Sequence, residues 1–175
     1  MPKPLLSLIL AVVGLAGCNQ KSASPTPPQE TVIAAGEIGS HLPDFSVKNL
    51  QGRELSSADL RGKIVLIDFW ATWCQPCKKE MPGYQKLLDN YGTRGFVVIG
   101  FKFDVMMDTE DPVQFAKKIG VKYPLAVATG DIKQKFSGIP GLPTTMLYDR
   151  QGILRKKVIG FEYMANFDST LKPLL

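Results

Sequence analysis

The chain has 175 residues, 45% hydrophobic and 21% charged, a balance that fits a folded globular protein and excludes a disordered or fibrous one. Its formal net charge of +5 comes from scattered basic residues, without the concentrated patch that a nucleic-acid partner requires. Three cysteines and one histidine are too few for a disulfide-knit scaffold or a His-rich zinc site.

Lys3 precedes an apolar run from Leu5 to Val13, broken by Ser7 and followed by Leu15-Ala16-Gly17-Cys18. The run is too short to remain as a membrane-spanning helix, so residues 1–17 read as a signal peptide. The Leu-Ala-Gly-Cys box resembles that of bacterial lipoproteins, and the resemblance implies a lipid on Cys18, which becomes the mature N-terminus. An ordinary secretory signal with a chance cysteine is the alternative. Asn19 after that cysteine implies, in families with this signal, no retention at the inner membrane. Residues 18–35 are polar, proline-rich and without hydrophobic period, as expected of an extended solvated tether. The folded domain is expected over residues 36–175, a length that buries roughly two-thirds of its surface without staples.

Within that domain, Asp44-Phe45-Ser46-Val47 and Arg53-Glu54-Leu55 flank a turn at Asn49-Leu50-Gln51-Gly52 and predict a hairpin. The nearly continuous apolar run Ile64–Trp70 predicts a central strand buried on both faces. From Gln75 to Tyr91 the apolar residues Met81, Tyr84, Leu87, Leu88 and Tyr91 recur at helical spacing, with Pro82 expected to kink the helix and Gly92 to stop it. Phe96–Phe101 predicts a second buried strand, and Asp111-Pro112 the start of a helix that reaches Gly120. Strands are expected at Tyr123–Ala128, Thr144–Tyr148 and Ile153–Ile159, and a closing helix from about Glu162. This order of elements predicts an α/β architecture.

The chemistry concentrates where the central strand meets its helix, at Trp73-Cys74-Gln75-Pro76-Cys77-Lys78. A cysteine at a helix start faces unsatisfied N–H groups and the positive end of the dipole, so Cys74 should ionise below about pH 8.5. Cys77 lies one turn on along the same face, within reach of a disulfide. Pro76 falls in the first turn, where its missing N–H has no helical partner to lose. A zinc half-site lacks a second Cys or His pair, and haem attachment would need His where Lys78 stands. A purely structural disulfide stays open on spacing alone. Asp68, in an otherwise apolar strand, should if buried have a raised pKa and could take the proton of Cys77, its plain alternative being a strand residue near the exposed end.

The stretches "LPDFSVKNLQGRELSSADLRGK", "KIVLIDFWATWCQPCKKEMP" and "GLPTTMLYDRQG" together resemble the thioredoxin superfamily, in its exported thiol–disulfide oxidoreductase branch of TlpA and ResA type. The resemblance implies a thioredoxin-like fold, a central mixed sheet flanked by helices, with an added N-terminal β-hairpin. It implies that Cys74 is the exposed attacking thiol and Cys77 the buried resolving one. It implies further that Pro143 is a cis-proline facing the pair, with the Leu142 backbone aimed at substrate beside Trp73, Gln75 and Pro76. Glu80 matches the active-site glutamate of the branch, its plain alternative being a solvated helix residue. The branch more often has Asn where Asp68 stands, and thioredoxin has Asp, so the chain looks hybrid. The loop "FSGIPGLPTT" is one residue longer than the family spacing and inserts Pro140.

The expected activity is that of a membrane-tethered, extracytoplasmic oxidoreductase that reduces exported proteins, with apocytochrome c the substrate the resemblance suggests. A membrane-embedded dithiol donor would restore it, and no metal or organic cofactor is expected. Two alternatives are a copper-binding module using both thiolates and a peroxiredoxin-like peroxidase. The latter needs a Pro-x-x-x-Thr-x-x-Cys loop, in which Ala71 replaces the threonine. Trp70 and Trp73 are expected to cover the active site, while Lys117-Lys118 and Arg155-Lys156-Lys157 read as solvated faces and His41 as a surface residue. Met106-Met107 lack neighbouring ligands for a soft metal.

Overall fold

The computed structural model describes residues 36–103 and 110–175. The expected signal peptide, the tether with Cys18, and Met106-Met107 lie outside the described residues.

A short hairpin, β1 (Ser46–Lys48) and β2 (Glu54–Ser56), pairs antiparallel as its turn predicts and forms a separate two-stranded sheet. The main sheet contains β3 (Ile64–Trp70), β4 (Phe96–Lys102), β5 (Leu125–Val127), β6 (Thr144–Tyr148) and β7 (Leu154–Ile159) in the order β5-β4-β3-β6-β7. β3, β4 and β5 run parallel, whereas β6 and β7 are antiparallel to their neighbours, so the sheet is mixed. Helices α1 (Gln75–Tyr91), α2 (Pro112–Lys118), α3 (Gly130–Lys135) and α4 (Met164–Leu171) flank it. Among the described residues, no helix is long and apolar enough to cross a membrane.

Every residue of β3 is buried, and alternation sends them to two different cores. Ile64, Leu66 and Trp70 face α1 and α4 and pack with Met81, Tyr84, Leu87, Phe167 and Leu171. Val65, Ile67 and Phe69 face the other way, where Phe45, Phe101, Ile132, Phe136 and Tyr148 complete the second core. Phe69 stacks on Phe101 at 5.5 Å between ring centroids and meets Phe136 edge-on at 5.3 Å. Double-sided burial thus explains why β3 has an apolar run rather than an alternating pattern.

α1 ends at Tyr91 with Gly92 as its cap, as expected, but Gly92 keeps φ −59° and leads into a 3-10 turn; the left-handed residue is Gly95, at φ 85°. The short α3, capped by the Thr129 hydroxyl, forms in a stretch whose sequence shows no helical periodicity. Pro82 sits inside an uninterrupted α1.

Gly100 of β4 is required by close approach: a Cβ there would lie 2.5 Å from Leu125 Cδ2 and 2.9 Å from Trp70 Nε1. Gly100→Ala is therefore expected to destabilise the fold by about 2 kcal/mol through overpacking, read as a lower urea midpoint at unchanged slope.

Candidate active site

β3 ends at Trp70, and Ala71-Thr72-Trp73 turn the chain into Cys74, the N-cap of α1. The turn is closed by the Cys74 N–H donating to the Ala71 carbonyl at 3.1 Å. Cys74 is extended (φ −77°, ψ 101°), and its Sγ accepts from the Cys77 N–H at 3.3 Å. The sulfur therefore takes the place that a serine or aspartate oxygen has at other helix starts, and a thiolate there gains from the same N–H groups. Cys74 and Cys77 form a disulfide, their Cα atoms 5.3 Å apart.

Cys74 is less open than expected, at 3% exposure against 0% for Cys77. The disulfide and the Cys77 N–H hold its sulfur inward, yet it remains the more accessible of the pair. Around it Trp73 (54%), Gln75 and Pro76 are exposed. Trp70 does not join them. Its even-numbered place on β3 turns it into the α1-side core, stacked on Phe115 at 5.3 Å.

The Leu142–Pro143 bond is cis, and Thr144, next in sequence, pairs with Phe69 near the end of β3. This places the cis bond at the same end of β3 from which the cysteine turn departs. The Pro143 carbonyl accepts from the Gly160 N–H at 2.8 Å, and the Thr144 hydroxyl donates to the Gly141 carbonyl at 2.7 Å.

Both acids picked out from the sequence are buried, at 1% exposure each. Asp68 shares the α1-facing side of β3, and neither of its oxygens has a well-formed hydrogen bond. Burial first, and the charge of Glu80 second, push its carboxyl well above the usual range. Glu80, one turn beyond Cys77, accepts from the Glu162 N–H through Oε1, while Oε2 lacks a well-formed partner. Burial raises its pKa to about 7, held from going higher by the donors Glu162 N–H and Tyr84 hydroxyl. Met164 of α4 packs where a Cβ on Gly83 would stand, so α4 lies against α1 two residues beyond Glu162. The Glu162 carboxylate pairs with Lys156 at 3.3 Å, so Lys156 is fixed in the structure and not simply solvated.

The sequence pattern does not single out Tyr84, Tyr123, Thr145 or Glu162 as site residues. Tyr84 contributes its ring to the helical period of α1, which says nothing about where its hydroxyl ends. His41 is exposed at the surface, as expected, and bridges to Ile153.

Two acids with raised pKa values oppose folding at high pH. Near pH 3 folded and unfolded chains both hold the protons and nothing is lost. As pH rises through the ordinary values of 3.8 for Asp and 4.5 for Glu, the unfolded chain releases protons that the folded chain keeps, and stability falls. For Glu80 the fall is complete once pH passes its folded value of about 7, a difference on the order of 3 kcal/mol. Glu80→Gln and Asp68→Asn are thus expected to raise the urea midpoint at pH 8 and to change it little at pH 3. An equal effect at both pH values would contradict the raised pKa values.

The sequence pattern of the AhpC/TSA family matches residues 38–157. The chain is 34% identical over 139 residues to the thiol-disulfide oxidoreductase ResA of Bacillus thuringiensis (strain Al Hakam), covering 79% of each. It is 34% identical over 154 residues to the thioredoxin-like protein YneN of Bacillus subtilis (strain 168), covering 87% of this chain and 86% of YneN. Among solved structures it is similar to a thiol:disulfide interchange protein of the thioredoxin family from Chlorobium tepidum TLS. That likeness has a TM-score of 0.70 and 29% identity, over 80% of this chain and 99% of the other. With a Cys74–Cys77 disulfide at a helix start and a cis-proline just before the start of the neighbouring strand, the chain belongs to the AhpC/TSA family, as a thioredoxin-like thiol–disulfide oxidoreductase related to ResA.

Proposed function

We propose that this oxidoreductase works as a reductase of exported proteins, facing the extracytoplasmic space and held to a membrane by lipid on Cys18. The signal-like Leu15-Ala16-Gly17-Cys18 box and the polar residues 18–35 support the tether. The observation that carries the direction is the pair Gln75-Pro76 between the cysteines. With no charge there to stabilise a thiolate further, the disulfide is comparatively stable and the potential low.

In the reaction, the Cys74 thiolate attacks a partner disulfide, forms a mixed disulfide and expels one partner sulfur as thiolate. Cys77 then gives its proton to Asp68 or Glu80, and its sulfur attacks Cys74 Sγ. The partner's second sulfur leaves, and two electrons have passed from the Cys74–Cys77 dithiol to the partner. A membrane-embedded dithiol donor restores the pair. Exposed Trp73, Gln75 and Pro76 meet the partner, with half-buried Leu142 and buried Pro143 behind them at the cis bond. Apocytochrome c is the substrate that the likeness to ResA-type proteins suggests. A peroxidase reading is weaker because buried Ala71 replaces the threonine of the peroxidatic loop.

Equilibration with glutathione or dithiothreitol buffers is expected to give a potential near or below about −230 mV, and a value above about −150 mV would overturn the reductase direction. Cys77→Ala is expected to accumulate mixed disulfides through Cys74 with envelope proteins. Rapid hydroperoxide consumption, or stable one-to-one Cu(I) binding with negligible disulfide reduction, would reassign the site.

A further inference from the structure

The buried side-chain polar atoms without a well-formed partner among the described residues are both oxygens of Asp68, Trp70 Nε1, Glu80 Oε2 and the Tyr123 hydroxyl. Asp68 and Trp70 share the α1-facing side of β3, and Tyr123 and Glu80 lie on that side with them. Buried groups of this kind are normally satisfied, so their gathering under one redox centre calls for a function.

Tyr84 stands in the middle of the group. It follows Glu80 by one helical turn on the same face of α1, wholly buried, its ring edge-on to Phe167 at 5.4 Å. Its hydroxyl lies 3.0 Å from Thr145 Oγ1. Thr145 is the direct cross-strand partner of Asp68 in the β3–β6 ladder. Directly opposed strand residues hold their Cβ atoms about 5 Å apart. The hydroxyl therefore sits between the Glu80 turn and the rung that holds Asp68.

We propose that Tyr84 is a positioning residue for proton transfer, its hydroxyl linking Glu80 to the Asp68–Thr145 rung so that the two carboxyls act as one proton store beneath Cys77. The proposal rests on the reading that these acids take the proton of Cys77. When Glu80 is ionised, the Tyr84 O–H donates toward it and the Thr145 O–H donates to Tyr84. When Glu80 gains a proton, its own O–H donates to Tyr84, whose O–H turns to Thr145. Two hydroxyl rotations reverse the chain. Meanwhile the electron pair of the Cys77 S–H bond forms the new bond to Cys74 Sγ, and the partner's sulfur leaves as thiolate. Tyr84 itself stays protonated, because burial and the charges of Asp68 and Glu80 hold its ionisation well above the usual range.

The groups facing this chain come from every surrounding element. α1 supplies Glu80 and Cys77, β3 Asp68, β6 Thr145, and the segment before β5 Tyr123. The loop between β7 and α4 supplies Glu162, with Lys156 paired to its carboxylate. The charged residue that β4 contributes on this side is Lys102, beside Trp70 in register. Repulsion acts in the same sense: the charge of Glu80 raises the buried Asp68 carboxyl, so their protons leave in steps that belong to the pair.

The test is carboxyl 13C NMR titration of the full chain in its disulfide form, where no exchange chemistry intrudes. Tyr84→Phe keeps the ring against Phe167 and removes the donor. It is expected to raise the Glu80 midpoint by about one pH unit, a tenfold change in proton affinity. Thr145→Val, which cuts the other end of the chain, is expected to move it the same way by less. A Glu80 midpoint unmoved in both folded variants overturns the proposal. The pH–rate profile of disulfide reduction, taken in parallel, is expected to shift in Tyr84→Phe as the carboxyl midpoint does. If Glu80→Gln and Asp68→Asn leave that profile unchanged while Tyr84→Phe still moves the Glu80 midpoint, the hydroxyl link stands and the assignment of the acids as acceptors for Cys77 falls.

Discussion

A carboxyl group on a strand buried on both faces is removed from bulk solvent, and this constraint at Asp68 shapes everything around the disulfide. β3 must be buried on both faces because it is the centre of the sheet, with a core on either side. Its even-numbered residues point at α1, so Asp68 necessarily enters the space under the helix whose start carries the cysteines. In that low-dielectric space burial makes Asp68 and a second acid, Glu80, hold their protons to higher pH, and the charge of Glu80 raises Asp68 further. The helix start exerts the opposite field. Its N–H groups favour negative charge at Cys74 Sγ, to which the Cys77 N–H already donates.

The site is assembled from segments far apart in the chain, and one loop ties the pieces together. Between β7 and α4, the Gly160 N–H holds the Pro143 carbonyl and the Glu162 N–H holds the Glu80 carboxylate. The same loop presents Phe161 and Tyr163 outward, edge-on to each other at 5.3 Å. The backbone beside the cis bond and the acid under the helix are thus set by a single short loop. That loop is anchored in turn by α4, whose Phe167 and Leu171 enter the core under α1 and whose Met164 lies against Gly83. The closing helix, remote from the cysteines in sequence, fixes the geometry in which they react.

Much of this is legible in the amino-acid sequence. The apolar run marks β3 to the residue, because burial on both faces removes the alternation that an exposed strand would show. The three-and-four spacing of Met81, Tyr84 and Leu87 bounds α1, and the Cys-x-x-Cys falls at its cap. What the sequence conceals depends on direction or on distant partners. The side to which Trp70 turns needs the register of β3 against both cores. The depth of Cys74 depends on a sulfur drawn toward Cys77. Gly92 and Gly95 look alike in sequence, and only backbone angles separate the one that continues the turn from the one that ends it. The six residues of α3 are too few to show a helical period. Tyr84 declares an apolar ring at a helical position, while its hydroxyl acquires meaning only when β6 brings Thr145 to it across 61 residues.

The two opposing fields also bear on the direction of electron flow. A strong oxidant of this kind is one whose reduced form is stabilised, usually through its thiolate. Here the helix start lowers the energy of a Cys74 thiolate, and any charge on Asp68 or Glu80 beneath it raises that energy again. Because Glu80 ionises at about 7, the two effects meet near neutral pH, and a proton on the carboxyl favours the thiolate while its loss disfavours it. Gln75-Pro76 adds no positive charge between the cysteines. A dithiol form with little extra stability is the one expected of a reductant, which supports the direction proposed for the pair.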